Sequence, residues 1–502
     1  MKVTLTLNQR RLLWGVLLLV VMVRLFSLGS YPLADTTEAR YAEIARLMAE
    51  SGDWITPQIH AGVPFWGKPP LSTWLSAASI RILGVNEFAI RLPSLLLTLA
   101  VLAMVFSFAA YQRGREFALL ATVICATTAI IFVCSGAVMT DTALLLGTTL
   151  SMISFWRAIT TESIKGLIWG YLLFAGLAIG LLAKGPIAVV LTALPIGGWI
   201  IWHREWRTSW HRIPWLTGLV LCMTLTLPWY YMAEVKTPGF LNYFLVGEHW
   251  KRFLVSGWEG DLYGTAHSRP LGTIWIYWLV SALPWSLLLL YALFRKEVRH
   301  RANLILKHRD SWETYLALWA LTPMVFFTPA GNILWTYVLP GIPALALLIP
   351  ELLLPEKKPI AEPAKASGFG PRRLLTVATV TSLIFALAWV LVASRIVPSR
   401  KCQKGLVTAY QNSRGEAAGR LVYIFKRPHS ADFYARGKAR LIEHGADLEA
   451  YFRTPAQDYF AIKVSHMQRL PEGIIEQVEK VGEFSGYYLL KEKSVKMNRP
   501  AE

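Results

Sequence analysis

Acids and cations suited to acid–base and phosphate chemistry gather in three places along this chain, each beside a strongly apolar run. The first is residues 35–70, DTTEARYAEIARLMAESGDWITPQIHAGVPFWGKPP, which holds Asp35, Glu38, Arg40, His60 and Lys68. Lys68 stands in PFWGKPP, one cation among aromatics, with Pro69 and Pro70 restricting the backbone beside it. A cation so presented at a lipid headgroup suits phosphate binding; interfacial snorkelling is the alternative without chemistry. The second place pairs Asp141, in GAVMTDTALLL, with Lys184, in GLLAKGP. An acid inside an apolar segment is costly unless paired or hydrated, so Asp141 is a functional candidate and an Asp141–Lys184 ion pair its structural counterpart. The third is the aromatic stretch NYFLVGEHWKRFLVSGWEG, punctuated by Glu248, His249, Lys251 and Arg252. Arg252 offers a planar fork that matches phosphate bidentately. An amphipathic interfacial helix explains the same stretch without chemistry.

These residues must be positioned by membrane helices. Of 502 residues, 54% are hydrophobic, and the mean hydropathy is +0.41. Apolar runs recur at 12–30, 92–111, 117–134, 136–157, 166–183, 186–202, 214–232, 272–294, 313–329, 335–354 and 374–396, which predicts about eleven spans of the ~30 Å hydrocarbon core. The run at 71–84, with Ser72, Ser76, Ser79 and Arg81, reads as an interfacial helix. With that count, the loops rich in Arg and Lys all fall on one side: the N-terminus, Arg113/Arg115, 204–212, 295–309 and 357–373. The positive-inside bias places them in the cytoplasm, so the net charge of +19 needs no nucleic-acid partner. The opposite side owns 31–91, 233–271 and everything beyond residue 399. The first helix is expected to remain uncleaved.

Three blocks follow: a helical membrane module over 1–354 with outer loops at 31–91 and 233–271, a cytoplasmic linker at 355–373, and a last span at 374–396 leading to a small α/β domain over 399–502. In that tail RLVYIFK, DYFAIKV and SGYYLLKE read as strands, ADLEAYFRT and EGIIEQVEKV as short helices. Cys402 is the one cysteine outside the apolar runs, so no disulfide forms within the tail. Within the first outer loop, RYAEIARLMAE predicts a helix with Asp35, Thr36, Thr37 and Glu38 supplying its cap and acidic first turn. GLAIGLLAKGP lacks the spacing of a phosphate loop, and Gly176 and Gly180 more simply permit close helix packing. Neither HExxH nor HxxxxH occurs in the outer loops, which gives a zinc site little support.

DTTEARYAEIARLMAESGDWITP followed by FWGKPPLSTW resembles the first outer loop of the GT-C integral-membrane glycosyltransferases. Within the protein mannosyltransferase superfamily it is most similar to the aminoarabinose transferase branch, which modifies lipid A. The similarity runs on through MTDTALLL, LLAKGP, VGEHWKRF, SALPW and WTYVLPGIPALALL, over about the first 350 residues. It implies an all-α polytopic fold of about 11–13 transmembrane helices with a small extracytoplasmic α/β domain. It also implies an inverting transfer, metal-independent or metal-assisted, of a sugar from undecaprenyl phosphate to lipid A or another envelope glycolipid on the periplasmic face of the inner membrane. Carried over by position, Lys68 and Arg252 bind the donor phosphate with Tyr337 beside them. Asp141 and Lys184 line the same cavity with Arg40, and Asp35 or Glu38 supplies a further carboxylate. The chain departs from the pattern at Thr37, where the family has an acid, and at Gly67, where the aminoarabinose enzymes have a Glu linked to a metal. It departs again at GNILWTY, which lacks their nearby Lys. No cofactor is certain on this reading, and a divalent metal stays open with weak support from these residues.

A protein O-glycosyltransferase is the alternative within the same class; a transporter of lipid-linked sugars is the alternative outside it. A transporter calls for polar residues midway along several spans, often in broken helices. Here the polar candidates crowd one face, which favours the enzyme.

Overall fold

The computed structural model describes residues 3–264, 267–307, 311–354, 370–394, 401–414, 419–444, 448 and 457–493. The first helix, α1 (Leu7–Ser27), starts at a capping box in which Thr6 and Gln9 exchange side-chain and backbone bonds. There follow α2 (Thr37–Ser51), a two-stranded ribbon of β1 (Gln58–His60) and β2 (Val63–Pro64), α3 (Leu71–Leu83) and α4 (Glu87–Arg113). Next come α5 (Arg115–Ala126), α6 (Ala129–Cys134), α7 (Asp141–Thr160), α8 (Ile164–Lys184) and α9 (Ile187–His203).

All eleven apolar runs are helical, but they are not eleven uninterrupted spans. Among the described residues, six helices are long and apolar enough to cross a membrane alone, and a bent pair, if it is one span, makes a seventh. That pair, Thr273–Ser281 and Trp285–Leu293, turns by 108° where Pro284 cannot donate to the ladder. The run at 117–134 breaks between α5 and α6 at Thr127 and Thr128, whose hydroxyls bond back to carbonyls one turn earlier. Hydropathy alone reports neither break.

α7 and α8 are antiparallel, joined by residues 161–163, and they pack backbone to backbone. A Cβ on Gly147 would lie 2.7 Å from the Gly176 carbonyl and equally close to the Gly180 nitrogen. Small residues at this crossing let the helix ends meet in register.

After the helix Pro371–Ala393 the chain forms a five-stranded sheet, in the order β4–β3–β5–β7–β6. Its strands are β3 (Leu421–Ile424), β4 (Arg440–Ile442), β5 (Tyr459–Lys463), β6 (Val478–Phe484) and β7 (Tyr487–Glu492). β3 is parallel to β4 and β5, while β7 is antiparallel to β5 and β6. The three expected strands form. EGIIEQVEKV does not form one helix: only Glu472–Ile475 is helical, and the chain then enters β6, whose pairing with β7 overrides local propensity. Apart from Leu448, the expected helix ADLEAYFRT lies outside the described residues, as does most of the linker 355–373. All four cysteines are free and buried.

The sheet unit docks on the first outer loop through the short helix His429–Tyr434. Phe433 joins Ala42, Ala45 and Met48 of α2 in one apolar cluster. Lys404 and the Tyr434 hydroxyl both reach Glu87 at the start of α4, the latter at 2.9 Å.

Candidate functional site

Because α7 begins at Asp141 and α8 ends at Lys184, their antiparallel packing brings the two charges to one end of the bundle. Lys184 Nζ donates to Asp141 Oδ1 at 2.6 Å. Each charge sits at the helix terminus that favours its sign. The Tyr337 ring lies 4.7 Å from Lys184 Nζ, carried by the 3-10 segment Trp335–Gly341.

A second charged group forms between the outer loops. Residues Asn242–Lys251 are π-helical, which turns Glu248 inward and leaves Trp250 outside. This differs from the simple amphipathic interfacial helix that is the alternative without chemistry for this stretch. The Glu248 carboxylate accepts from Lys68 Nζ at 2.8 Å and from Arg252 Nη1 at 2.8 and 3.0 Å. Asp261 stands 3.5 Å from Arg252. Burial alone would raise the Glu248 carboxyl, but Lys68 and Arg252 outweigh it and hold it at about 2. Glu248 is therefore an anion at any physiological pH. Tyr263 ties the two loops together, its hydroxyl accepting from Trp66 N at 2.9 Å and donating to the Pro64 carbonyl at 3.0 Å. His249 links the two charged groups, its ring nitrogens 2.7 Å from the Phe244 carbonyl and 3.1 Å from the Lys184 carbonyl.

Both groups border one cavity of about 420 Å³. Lys68, Lys184, Glu248, His249, Arg252 and Tyr337 are among its polar lining, and Leu144, Ile187, Val190, Leu191, Phe326 and Phe327 among its apolar lining. Three lining polar atoms are buried without a hydrogen-bond partner among the described residues: Arg252 Nε, Asn332 Nδ2 and Thr336 Oγ1. Buried donors of this kind are costly unless a ligand or water meets them. The sequence reading gave no role to Glu248, Asn332 or Thr336. Asn332 stands in GNILWTY, a segment whose sequence departs from that of the aminoarabinose enzymes.

Asp35, Glu38, Arg40 and Asp141 lie outside this lining; Asp141, expected to line the cavity, reaches it only through its bond to Lys184. Asp35 does not cap α2. Its carboxylate accepts from Ser430 N at 2.9 Å and from the Ser430 hydroxyl, fastening the sheet unit to the first loop. Burial raises the Asp35 carboxyl, and those two bonds oppose it. Glu38 takes a bidentate bond from the buried Arg91, at 2.8 and 3.0 Å. Arg40 donates to the Tyr263 carbonyl. Among the described residues, no group of three or more His, Cys, Asp or Glu side chains is placed to share a metal ion.

Residues 12–244 match the family model for dolichyl-phosphate-mannose-protein mannosyltransferases. Over 356 residues the chain is 30% identical to the undecaprenyl phosphate-alpha-4-amino-4-deoxy-L-arabinose arabinosyl transferase of Pseudomonas aeruginosa strain UCBPP-PA14, covering 69% of this chain and 60% of that one. The protein of the same name from Erwinia tasmaniensis is 31% identical over 318 residues, 62% of this chain and 54% of its own. The crystal structure of ArnT from Cupriavidus metallidurans bound to undecaprenyl phosphate superposes with a TM-score of 0.76 at 17% identity, over 97% of this chain and 99% of that one. The chain belongs to the GT-C glycosyltransferase family. It falls in the aminoarabinose transferase branch of that family. The GT-C fold extends over nearly the whole chain, including the C-terminal sheet unit, although the chain spans only about three fifths of the first curated relative it matches.

Proposed function

We propose that this GT-C protein transfers a sugar from undecaprenyl phosphate to lipid A or another envelope glycolipid, on the periplasmic face of the bacterial inner membrane. One observation carries the reading: Lys68, Lys184 and Arg252, from three separate parts of the chain, meet on one cavity that is otherwise lined largely by apolar side chains. An anionic headgroup on a polyprenyl tail asks for that combination. The names of the curated relatives, and the undecaprenyl phosphate bound to the structural neighbour, support the same donor. The cations of the cytoplasmic loops support the orientation.

In this reading the acceptor oxygen attacks the anomeric carbon, the bond from that carbon to the phosphate oxygen breaks, and undecaprenyl phosphate leaves as an anion. Lys68 and Arg252 stabilise the charge that develops on it, with Tyr337 beside them. Asp141 is the carboxylate we assign to the acceptor proton, because it is bonded to cavity-lining Lys184. Glu248, held at about 2 by its cations, is too weak a base for that step. Asp35 and Glu38 keep structural roles.

Lipid A mass spectrometry of cells with and without this chain tests the acceptor. One sugar mass on lipid A or another envelope glycolipid is expected. A shift confined to glycoproteins would instead place the chain with the protein O-glycosyltransferases.

A further inference from the structure

The two cations assigned to the donor phosphate are already bonded to a carboxylate of this same chain, and that arrangement has a kinetic consequence. Glu248 accepts from Lys68 at 2.8 Å and from Arg252 at 2.8 and 3.0 Å, and its side chain is only 3% exposed. Lys68 and Arg252 stand 184 positions apart in the sequence, so Glu248 is also what brings them to one point. Asp261 at 3.5 Å adds a second anion on the Arg252 side, while Lys184 has its own anion in Asp141. Counted by side chain, the cavity's three cations, Lys68, Lys184 and Arg252, meet three anions, Asp141, Glu248 and Asp261. A phosphate entering this cavity does not find bare positive charge. It must share, or take over, donors that Glu248 holds.

We propose that Glu248 is a positioning residue that acts as the chain's internal competitor for the polyprenyl phosphate. It pre-aligns Lys68 and Arg252, then weakens their hold on the phosphate so that the product leaves. The inference rests on the phosphate reading above. It explains why a buried anion stands where an anionic ligand is expected. Arg252 illustrates the sharing: Nη1 is taken by Glu248, whereas Nε is buried without a partner among the described residues and remains free to donate. Lys68 likewise has three donor hydrogens, of which the Gly67 carbonyl and Glu248 take two. Each cation thus has a donor left for phosphate while Glu248 keeps its place. No covalent step is involved; only hydrogen bonds are exchanged.

The sign of this prediction is unusual, since removing a buried ion-pair partner ordinarily costs function. Glu248→Gln keeps the shape and one acceptor oxygen but drops the charge. It should bind undecaprenyl phosphate on the order of tenfold more tightly, the scale of one hydrogen bond to a charged group. It should lower KM for the sugar-linked donor and lower kcat with it, because product release slows. Glu248→Asp has a shorter reach to the cations and should have an affinity between those of Glu248→Gln and the wild type. It answers the question even if the Glu248→Gln variant does not fold.

The experiment is titration of the full-length purified protein with undecaprenyl phosphate for the wild type, Glu248→Gln, Glu248→Asp, Lys68→Ala and Arg252→Ala. Tighter binding by both Glu248 variants, with weaker binding by the Ala variants, is the expected result. Unchanged or weaker binding by the Glu248 variants, with the Ala variants still weaker than wild type, overturns the competitor role and leaves the phosphate reading standing. Unchanged binding by Lys68→Ala and Arg252→Ala overturns both.

Discussion

Lys68, Asp141, Lys184 and Arg252 are legible in the sequence because each is a charge where apolar or aromatic neighbours make a charge costly. Glu248 is not, because a carboxylate beside a Lys and an Arg reads as part of a solvated face until the π-helical turn is known. The partners of Asp35 and Glu38 are no more legible: Ser430 and Arg91 stand 395 and 53 residues away. Family position pointed to those acids as reacting groups, and in our proposal their contacts give them structural roles instead. At this scale the identity of the cation at position 252 is testable. Arg252→Lys keeps the charge but loses the fork and the buried Nε donor. The apparent KM for the lipid-linked donor should rise about tenfold, with kcat changed far less. Equal kinetics for the two cations would show that geometry at this position does not matter.

The elements that hold the site are fixed by buried ion pairs and by docking of the sheet unit. Arg91, fully buried in α4, bonds to Glu38 and to the carbonyls of Leu28, Tyr31 and Pro32, and so fastens the end of α1 and the start of α2 together. Arg91→Ala should destabilise the protein by roughly 3–5 kcal/mol, the cost of leaving a buried partner unpaired. A thermal midpoint equal to wild type would contradict this. The docking helix His429–Tyr434 carries two groups shifted in opposite directions. Burial raises Asp432 to about 7 against the opposing Arg427. Burial, then Arg40 and His60, lower His429 to about 4. The raised acid stabilises the fold fully below its ordinary 3.8 and loses that contribution as pH climbs through 7. The lowered histidine stabilises above its ordinary 6.5 and loses that contribution as pH falls through 4. In the wild type the two slopes offset each other. Asp432→Asn leaves the histidine alone, so its thermal midpoint should climb more steeply than wild type between about pH 4 and 6.5. Parallel profiles would refute the assignment. None of this docking was legible, since it joins residues from opposite ends of the chain.

Across the whole molecule, each of the eleven apolar runs is helical among the described residues and charge asymmetry gave an orientation, but hydropathy did not show where a run is interrupted. Thr127–Thr128 and Pro284 interrupt runs whose average hydropathy stays high. The orientation can be measured directly, because the four native cysteines are buried and should stay silent to labelling. Lys480→Cys, at an exposed position, should react with a membrane-impermeant maleimide in intact spheroplasts, and Arg299→Cys, also at an exposed position, only after lysis. The reverse pattern would put the cavity on the cytoplasmic face. The central claim, however, is that one cavity joins a polyprenyl-phosphate donor to an acceptor through Asp141. Its most direct test is transfer by the purified protein from a sugar-linked undecaprenyl phosphate to lipid A in detergent, for the wild type and Asp141→Asn. The account predicts glycosylated lipid A and stoichiometric undecaprenyl phosphate from the wild type. Asp141→Asn should still bind donor but lose turnover by two or more orders of magnitude, the range of general-base catalysis, ~10²–10⁴-fold. Full turnover by Asp141→Asn would contradict it.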